Sequence, residues 1–153
     1  MAVTTFAAID VGSYEVSMKI FELSRKVGFK ELTDIRYRLE LGKGAYSRGK
    51  LERDMVDALC EILLDFKRVM KEFGAEAYRA CATSVFRELK NPIVILEQVF
   101  QRTGIQVEIL SNAEQHFLGY KSIAAIETGF KKNDPEGNGH SGRGRRKPAG
   151  FPF

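Results

Sequence analysis

Residues 4–9 lead into a short apolar run, and apolar and polar residues alternate over residues 15–23 and again over residues 30–41, where Leu32, Ile35, Tyr37, Leu39 and Leu41 carry the pattern. A period of two marks strands that bury one face, and the short turn after residue 9 makes the first two a hairpin. From about residue 52 to 73 the period lengthens. Met55, Leu59, Ile62, Leu63, Phe66, Val69, Met70 and Phe73 recur at helical spacing, and Gly74 closes the helix. Residues 75–82 read as a short strand. Asn91 and Pro92 open a second helix as N-cap and first-turn residue, and it ends near Thr103 and Gly104. Residues 105–110 are another strand, and Ser111 caps a third helix from Ala113 to about Ile126. Between the third strand and the first helix, Gly42-Lys43-Gly44 and Ser47-Arg48-Gly49 read as a loop. The predicted order is β-β-β-α-β-α-β-α. It gives an α/β layer with a mixed sheet, parallel in its second half.

After Thr128 the periodicity stops. Residues 133–147 are rich in Gly, Pro and charge and carry no hydrophobic pattern, so residues 1–128 are expected to fold and residues 129–153 to form a disordered basic tail. The net charge of +4 belongs to that tail. Residues 131–153 hold six Lys/Arg against Asp134 and Glu136, which leaves 18 basic and 18 acidic residues in the rest. The basic pI therefore says nothing about a nucleic-acid face on the folded body, and no nucleic-acid partner is expected. An Arg/Gly nucleic-acid-binding extension is the rival reading of the tail, but its basic run has no aromatics and repeats no RGG unit.

At 44% hydrophobic, the 153 residues bury the core of one domain. No run of about 18 apolar residues exists to span a membrane, and the N-terminus lacks a signal-peptide pattern. Cys60 and Cys81 sit in apolar contexts and read as buried thiols in a reducing cytoplasm.

Four places have the residue types for phosphate chemistry. In Asp10-Val11-Gly12-Ser13, a glycine without Cβ lets backbone N–H groups approach a phosphate, Ser13 adds a hydroxyl, and Asp10 can hold Mg²⁺ or orient a water. An ordinary Asp-x-Gly hairpin turn fits the same residues. Leu41-Gly42-Lys43-Gly44 is either a lid or a plain connection. Ala82-Thr83-Ser84-Val85-Phe86-Arg87 brings two hydroxyls and an arginine to a strand end, where Arg87 offers paired donors to phosphate oxygens; a Ser84 helix cap with a surface arginine fits equally. Ser111-Asn112-Ala113-Glu114 offers a carboxylate as general base, or a capping box.

These motifs, taken in order over residues 4–128, resemble the N-terminal domain of the exopolyphosphatase / guanosine pentaphosphate phosphohydrolase (Ppx/GppA) family. That family lies within the actin-like ATPase, ribonuclease-H-like superfamily. The resemblance implies Mg²⁺-assisted hydrolysis of a terminal phosphoanhydride in polyphosphate or guanosine pentaphosphate (pppGpp), in a cleft between two similar domains of a cytoplasmic and often dimeric enzyme. By motif position Glu114 matches the catalytic carboxylate that activates water. Gly12, Ser13, Ser84 and Arg87 match phosphate ligands, and Asp10 the acidic residue near the metal. The family's loop usually continues Gly-Ser-Asn-Ser, whereas Tyr14 and Glu15 follow Ser13 here. A non-catalytic phosphate- or nucleotide-binding module is the alternative from another functional class.

In the family, a strand and a second phosphate loop, Asp-x-Gly-Gly-Gly-Ser, follow the helix that corresponds to residues 115–126. Here the basic tail takes that place. The codons allowed from Glu136 onward, shifted forward by one nucleotide, permit K-G-M-A-I-V-D-V-G-G-G-S-L-Q-V-S-L. The tail is therefore expected to be an out-of-frame reading of the missing loop.

Overall fold

The computed structural model describes residues 3–26 and 28–111. The helix expected over 113–126, the tail, and Glu114 lie outside the described residues. Five strands form one sheet: β1 (Thr4–Val11), β2 (Glu15–Ser24), β3 (Gly28–Arg38), β4 (Ala77–Ala82) and β5 (Val107–Ile109). Their spatial order is β3-β2-β1-β4-β5. β1 runs antiparallel to β2, and β2 to β3, while β4 is parallel to β1 and β5 to β4. The sheet is thus mixed, and parallel in its second half as the sequence predicts.

Alternation along the strands divides the sheet into two faces. Ala7, Ile9 and Val11 of β1 and Val16, Met18 and Ile20 of β2 pair across the ladder and are all buried. They form the core with α2 (Arg53–Glu72), which contributes Leu59, Leu63 and Phe66, each fully buried. Helix spacing puts these residues on one stripe facing the sheet. The chain leaves α2 through Gly74 at φ +67°, the left-handed conformation that glycine adopts without Cβ strain. On the other face Phe21 stacks on Phe29 at 4.4 Å between ring centroids, and Phe6 tilts against both. Beside them runs a ladder of ion pairs in which Arg36 reaches Asp34 and Glu15, and Lys19 reaches Glu31 and Asp34.

The structure departs from the sequence reading in four places. The expected loop at 42–49 is mostly helix: α1 spans Gly42–Arg48 and ends on Gly49 at φ +64°. A one-turn helix, α3 (Ser84–Arg87), follows β4 directly. Its N-cap position is Thr83 rather than Ser84, and no side chain caps it. Before α4 (Pro92–Thr103), Asn91 occupies the N-cap position with Pro92 at the first turn, but its side chain makes no capping hydrogen bond. Cys60 is buried, and burial pushes its thiol up, as an inert core cysteine requires; Cys81 is only half-buried.

Candidate phosphate site at the strand ends

The three parallel strands stop level with one another. The Thr83 N–H donates to the Val11 carbonyl at 3.3 Å and the Leu110 N–H to the Ala82 carbonyl at 3.1 Å, so the ladder runs to the last residue of β1 and finishes one residue past β4 and β5. Ser13 and Ser84 each lie two residues beyond a strand's last residue, and so does Ser111. In open α/β sheets, ligands bind in the crevice outside the carboxyl ends of the strands, where side chains from several segments converge.

The turn from β1 to β2 is tight. The Gly12 N–H donates to the Glu15 carbonyl at 2.9 Å, and a Cβ on Gly12 would stand 2.9 Å from that same oxygen. Only glycine fits there. The turn is also clamped from outside: the Gly42 N–H donates to the Ser13 carbonyl at 2.8 Å and the Leu39 N–H to the Tyr14 carbonyl at 3.0 Å. The carbonyls of residues 13 and 14 are thereby engaged. Their own N–H groups have no acceptor among the described residues.

From α1 comes a side chain that no sequence motif signalled. The Tyr46 hydroxyl lies 2.7 Å from Ser13 Oγ and 2.7 Å from Ser84 Oγ, and the two serine oxygens are 3.5 Å apart. Ser84 therefore spends its hydroxyl on this cluster and not on a helix cap. The signal for Tyr46 was hidden because Gly42-Lys43-Gly44 reads as loop, which leaves a helical i, i+4 relation to Gly42 out of view. Lys43, the one cation of that segment near the turn, is directed elsewhere: its Nζ pairs with Glu40 at 2.5 Å.

Arg87, half-buried at the end of α3, donates from Nη1 to the Leu110 carbonyl. That bond ties α3 to the end of β5, and the other N–H donors of the guanidinium fork have no acceptor among the described residues. Asp10 is the last outward-facing residue of β1, paired in register with Ser17 and Cys81. Its carboxyl is solvent-accessible yet crowded on its protein side. That partial desolvation, and then the negative charge of Glu15, hold it above the ordinary aspartate value. Glu15 itself is paired with Arg36 at 3.2 Å, which offsets part of its charge.

Mg²⁺ is held characteristically by one or two carboxylates together with substrate phosphates and water. A carboxylate made less acidic by burial and by a like charge fits that role, because a cation would relieve both costs. Among the described residues no group of three or more His, Cys, Asp or Glu is placed to hold a metal by itself. The structure thus brings together Gly12, Ser13, Ser84 and Tyr46, with Arg87 on the same strand-end edge. It does not bring in Lys43.

The sequence profile of the Ppx/GppA phosphatase family matches residues 20–133. Exopolyphosphatase 1 of Mycobacterium leprae is 24% identical over 115 residues, which cover 75% of this chain and 34% of that protein. Exopolyphosphatase 2 of Mycobacterium tuberculosis is 25% identical over 129 residues, 79% of this chain and 40% of that protein. The crystal structure of the Aquifex aeolicus Ppx/GppA family member superimposes with a TM-score of 0.77 at 26% identity, over 81% of this chain and 40% of that one. The chain thus spans between a third and two-fifths of the length of these relatives. No described helix is long and apolar enough to cross a membrane. A mixed sheet ordered β3-β2-β1-β4-β5, the matched profile and the superposition together place this chain in the Ppx/GppA phosphatase family, with the family's ribonuclease-H-like, actin-like α/β fold.

Proposed function

We propose that this chain supplies the first phosphate-binding half of a hydrolase that removes the terminal phosphate from a phosphoanhydride chain, polyphosphate or pppGpp. The observation that carries the reading is the convergence of Ser13 and Ser84 at the ends of adjacent parallel strands, with Arg87 three residues on from Ser84. The Gly12–Ser13 turn and Ser84 would bind the phosphate through neutral donors. Arg87 would neutralise its charge from the β5 side and hold it in one orientation. Asp10 would hold Mg²⁺, which when bound offsets charge on the phosphate oxygens. By family resemblance Glu114 would take the proton from the attacking water. Transfer to water replaces the bond from the terminal phosphorus to its bridging oxygen with one to the water oxygen, and releases inorganic phosphate and the shortened chain.

Two relatives named as exopolyphosphatases support polyphosphate as the substrate. The expected second loop, read from the codons past Glu136, would complete the phosphate cage from the opposite wall of the cleft. Without that wall water is not excluded, so the 153-residue chain is expected to release little phosphate. The test compares phosphate release from polyphosphate and from pppGpp by this chain and by a version with the frame restored. The restored protein should turn over at least one substrate, and Glu114→Gln should abolish that turnover. Absence of turnover by the restored protein would favour a non-catalytic phosphate- or nucleotide-binding module, and turnover unaffected by Glu114→Gln would take the general-base role away from Glu114.

A further inference from the structure

Three hydroxyls from three separate segments meet at the edge of the strand-end site. The Tyr46 ring that carries one of them is wedged in place: a Cβ on Gly42 would come within 2.9 Å of its Cε2 atom, so a glycine at position 42 is what admits the ring. Tyr46 is 49% exposed, and the contacts of its hydroxyl with Ser13 and Ser84 lie at the surface. Three hydroxyls hold three protons. The two 2.7 Å contacts use two of them, and at 3.5 Å the direct contact between the serines is long for a bond between hydroxyls. One proton is therefore left without a close acceptor among the described residues, and each hydroxyl can rotate about its C–O bond toward an incoming acceptor.

We propose that Tyr46 is a further phosphate-binding residue: its hydroxyl donates, together with Ser13 and Ser84, to a non-bridging oxygen of the phosphate seated on the Gly12–Ser13 turn. The inference rests on the phosphate reading of this site and adds a residue that the phosphate motifs do not contain. With no bound anion, the cluster is satisfied by its own two hydrogen bonds. With one bound, the same protons turn to the oxygen. A ring present only to fill space over Gly42 needs no hydroxyl, and that distinction makes the proposal testable.

The experiment titrates inorganic tripolyphosphate into the full 153-residue chain by calorimetry at physiological salt, for the wild type, Arg87→Ala and Tyr46→Phe. The wild type should bind saturably and Arg87→Ala should lose that binding. Tyr46→Phe should bind about tenfold more weakly, as expected for one lost hydrogen bond to a charged group, with a thermal midpoint lowered by only a few °C for the two exposed hydroxyl contacts it gives up. Tyr46→Phe binding as tightly as wild type, while Arg87→Ala does not, overturns the role of Tyr46 and leaves the phosphate site standing. Undiminished binding by Arg87→Ala places the anion elsewhere, the basic tail being the obvious competitor, and overturns both. The ring resonances of Tyr46 in the wild-type chain give a readout that does not depend on the variant folding. They should shift with tripolyphosphate, and resonances that stay put overturn the proposal.

Discussion

The Arg87 guanidinium donates to the carbonyl of Leu110, which fastens a one-turn helix to the end of the last described strand. Arg87 thus has a structural task, to which the proposed function adds one toward the ligand. A half-buried charged donor on a backbone carbonyl contributes on the order of 1 kcal/mol after allowance for its solvent exposure. Arg87→Lys keeps the charge but loses the fork. It is expected to retain most of the stability in a urea titration, yet to bind tripolyphosphate several-fold more weakly than wild type.

Gly12→Ala should destabilise the chain by about 1–3 kcal/mol, the usual cost of forcing an atom into a filled space. The new Cβ would meet the Glu15 carbonyl, a backbone atom that cannot step aside without opening the hairpin. Gly74→Ala has open space around it and should cost only about 1 kcal/mol, through its left-handed φ. Chemical denaturation of the two variants separates steric from conformational cost.

Asp10 gives the site a pH signature. Its pKa is raised in the folded chain, so between the ordinary aspartate value of about 3.9 and that raised value the folded state binds more protons than the unfolded one. The contribution of Asp10 to stability therefore falls as pH rises through this window, the opposite of a salt-bridged carboxylate. Asp10→Asn should raise the thermal midpoint by about 1–3 °C at neutral pH, flatten the pH dependence in that window, and remove the effect of Mg²⁺ on tripolyphosphate binding. An unchanged Mg²⁺ effect would take the metal away from Asp10.

Much of the fold was legible because its signals are local and repetitive. The apolar run of β1, the alternation in β2 and the helical stripe of Leu59, Leu63 and Phe66 supply the residues that form the core. What escaped was decided by tertiary contacts. Two glycines in seven residues cost α1 about 2 kcal/mol of intrinsic propensity. The helix forms nevertheless because Leu41 and Ala45 are buried against the core and Tyr46 needs the space over Gly42. The third strand was expected to run to Leu41 but stops at Arg38, where the Leu39 N–H turns to the Tyr14 carbonyl and draws the chain to the β1–β2 turn. At the site, the motifs located Ser13, Ser84 and Arg87, whose spacing relative to strand ends is written in the sequence. Tyr46 was invisible because its role depends on a hydroxyl contact across three segments.

Position on α2 should separate core from surface. Leu63→Ala removes a fully buried side chain and should cost about 2–5 kcal/mol, whereas Leu64→Ala, at a position 46% exposed, should stay within about 0.5 kcal/mol. Equal losses would mean that the stripe assigned to the sheet is not the one that packs.

The tail makes a prediction about the gene. Sequencing across codons 128–153 should find, one nucleotide forward, codons for Asp-x-Gly-Gly-Gly-Ser followed by an alternating strand. A shifted frame without that motif removes the out-of-frame origin of the basic residues and leaves the folded body's phosphate site unaffected.

The central claim is that phosphate chains bind at the ends of the parallel strands. Amide resonances of the full 153-residue chain, followed during titration with tripolyphosphate and Mg²⁺, address it most directly. The account predicts saturable shifts at Gly12, Ser13, Tyr14, Ser84 and Arg87. Shifts confined to the basic residues 131–147, with those five amides unmoved, would contradict it.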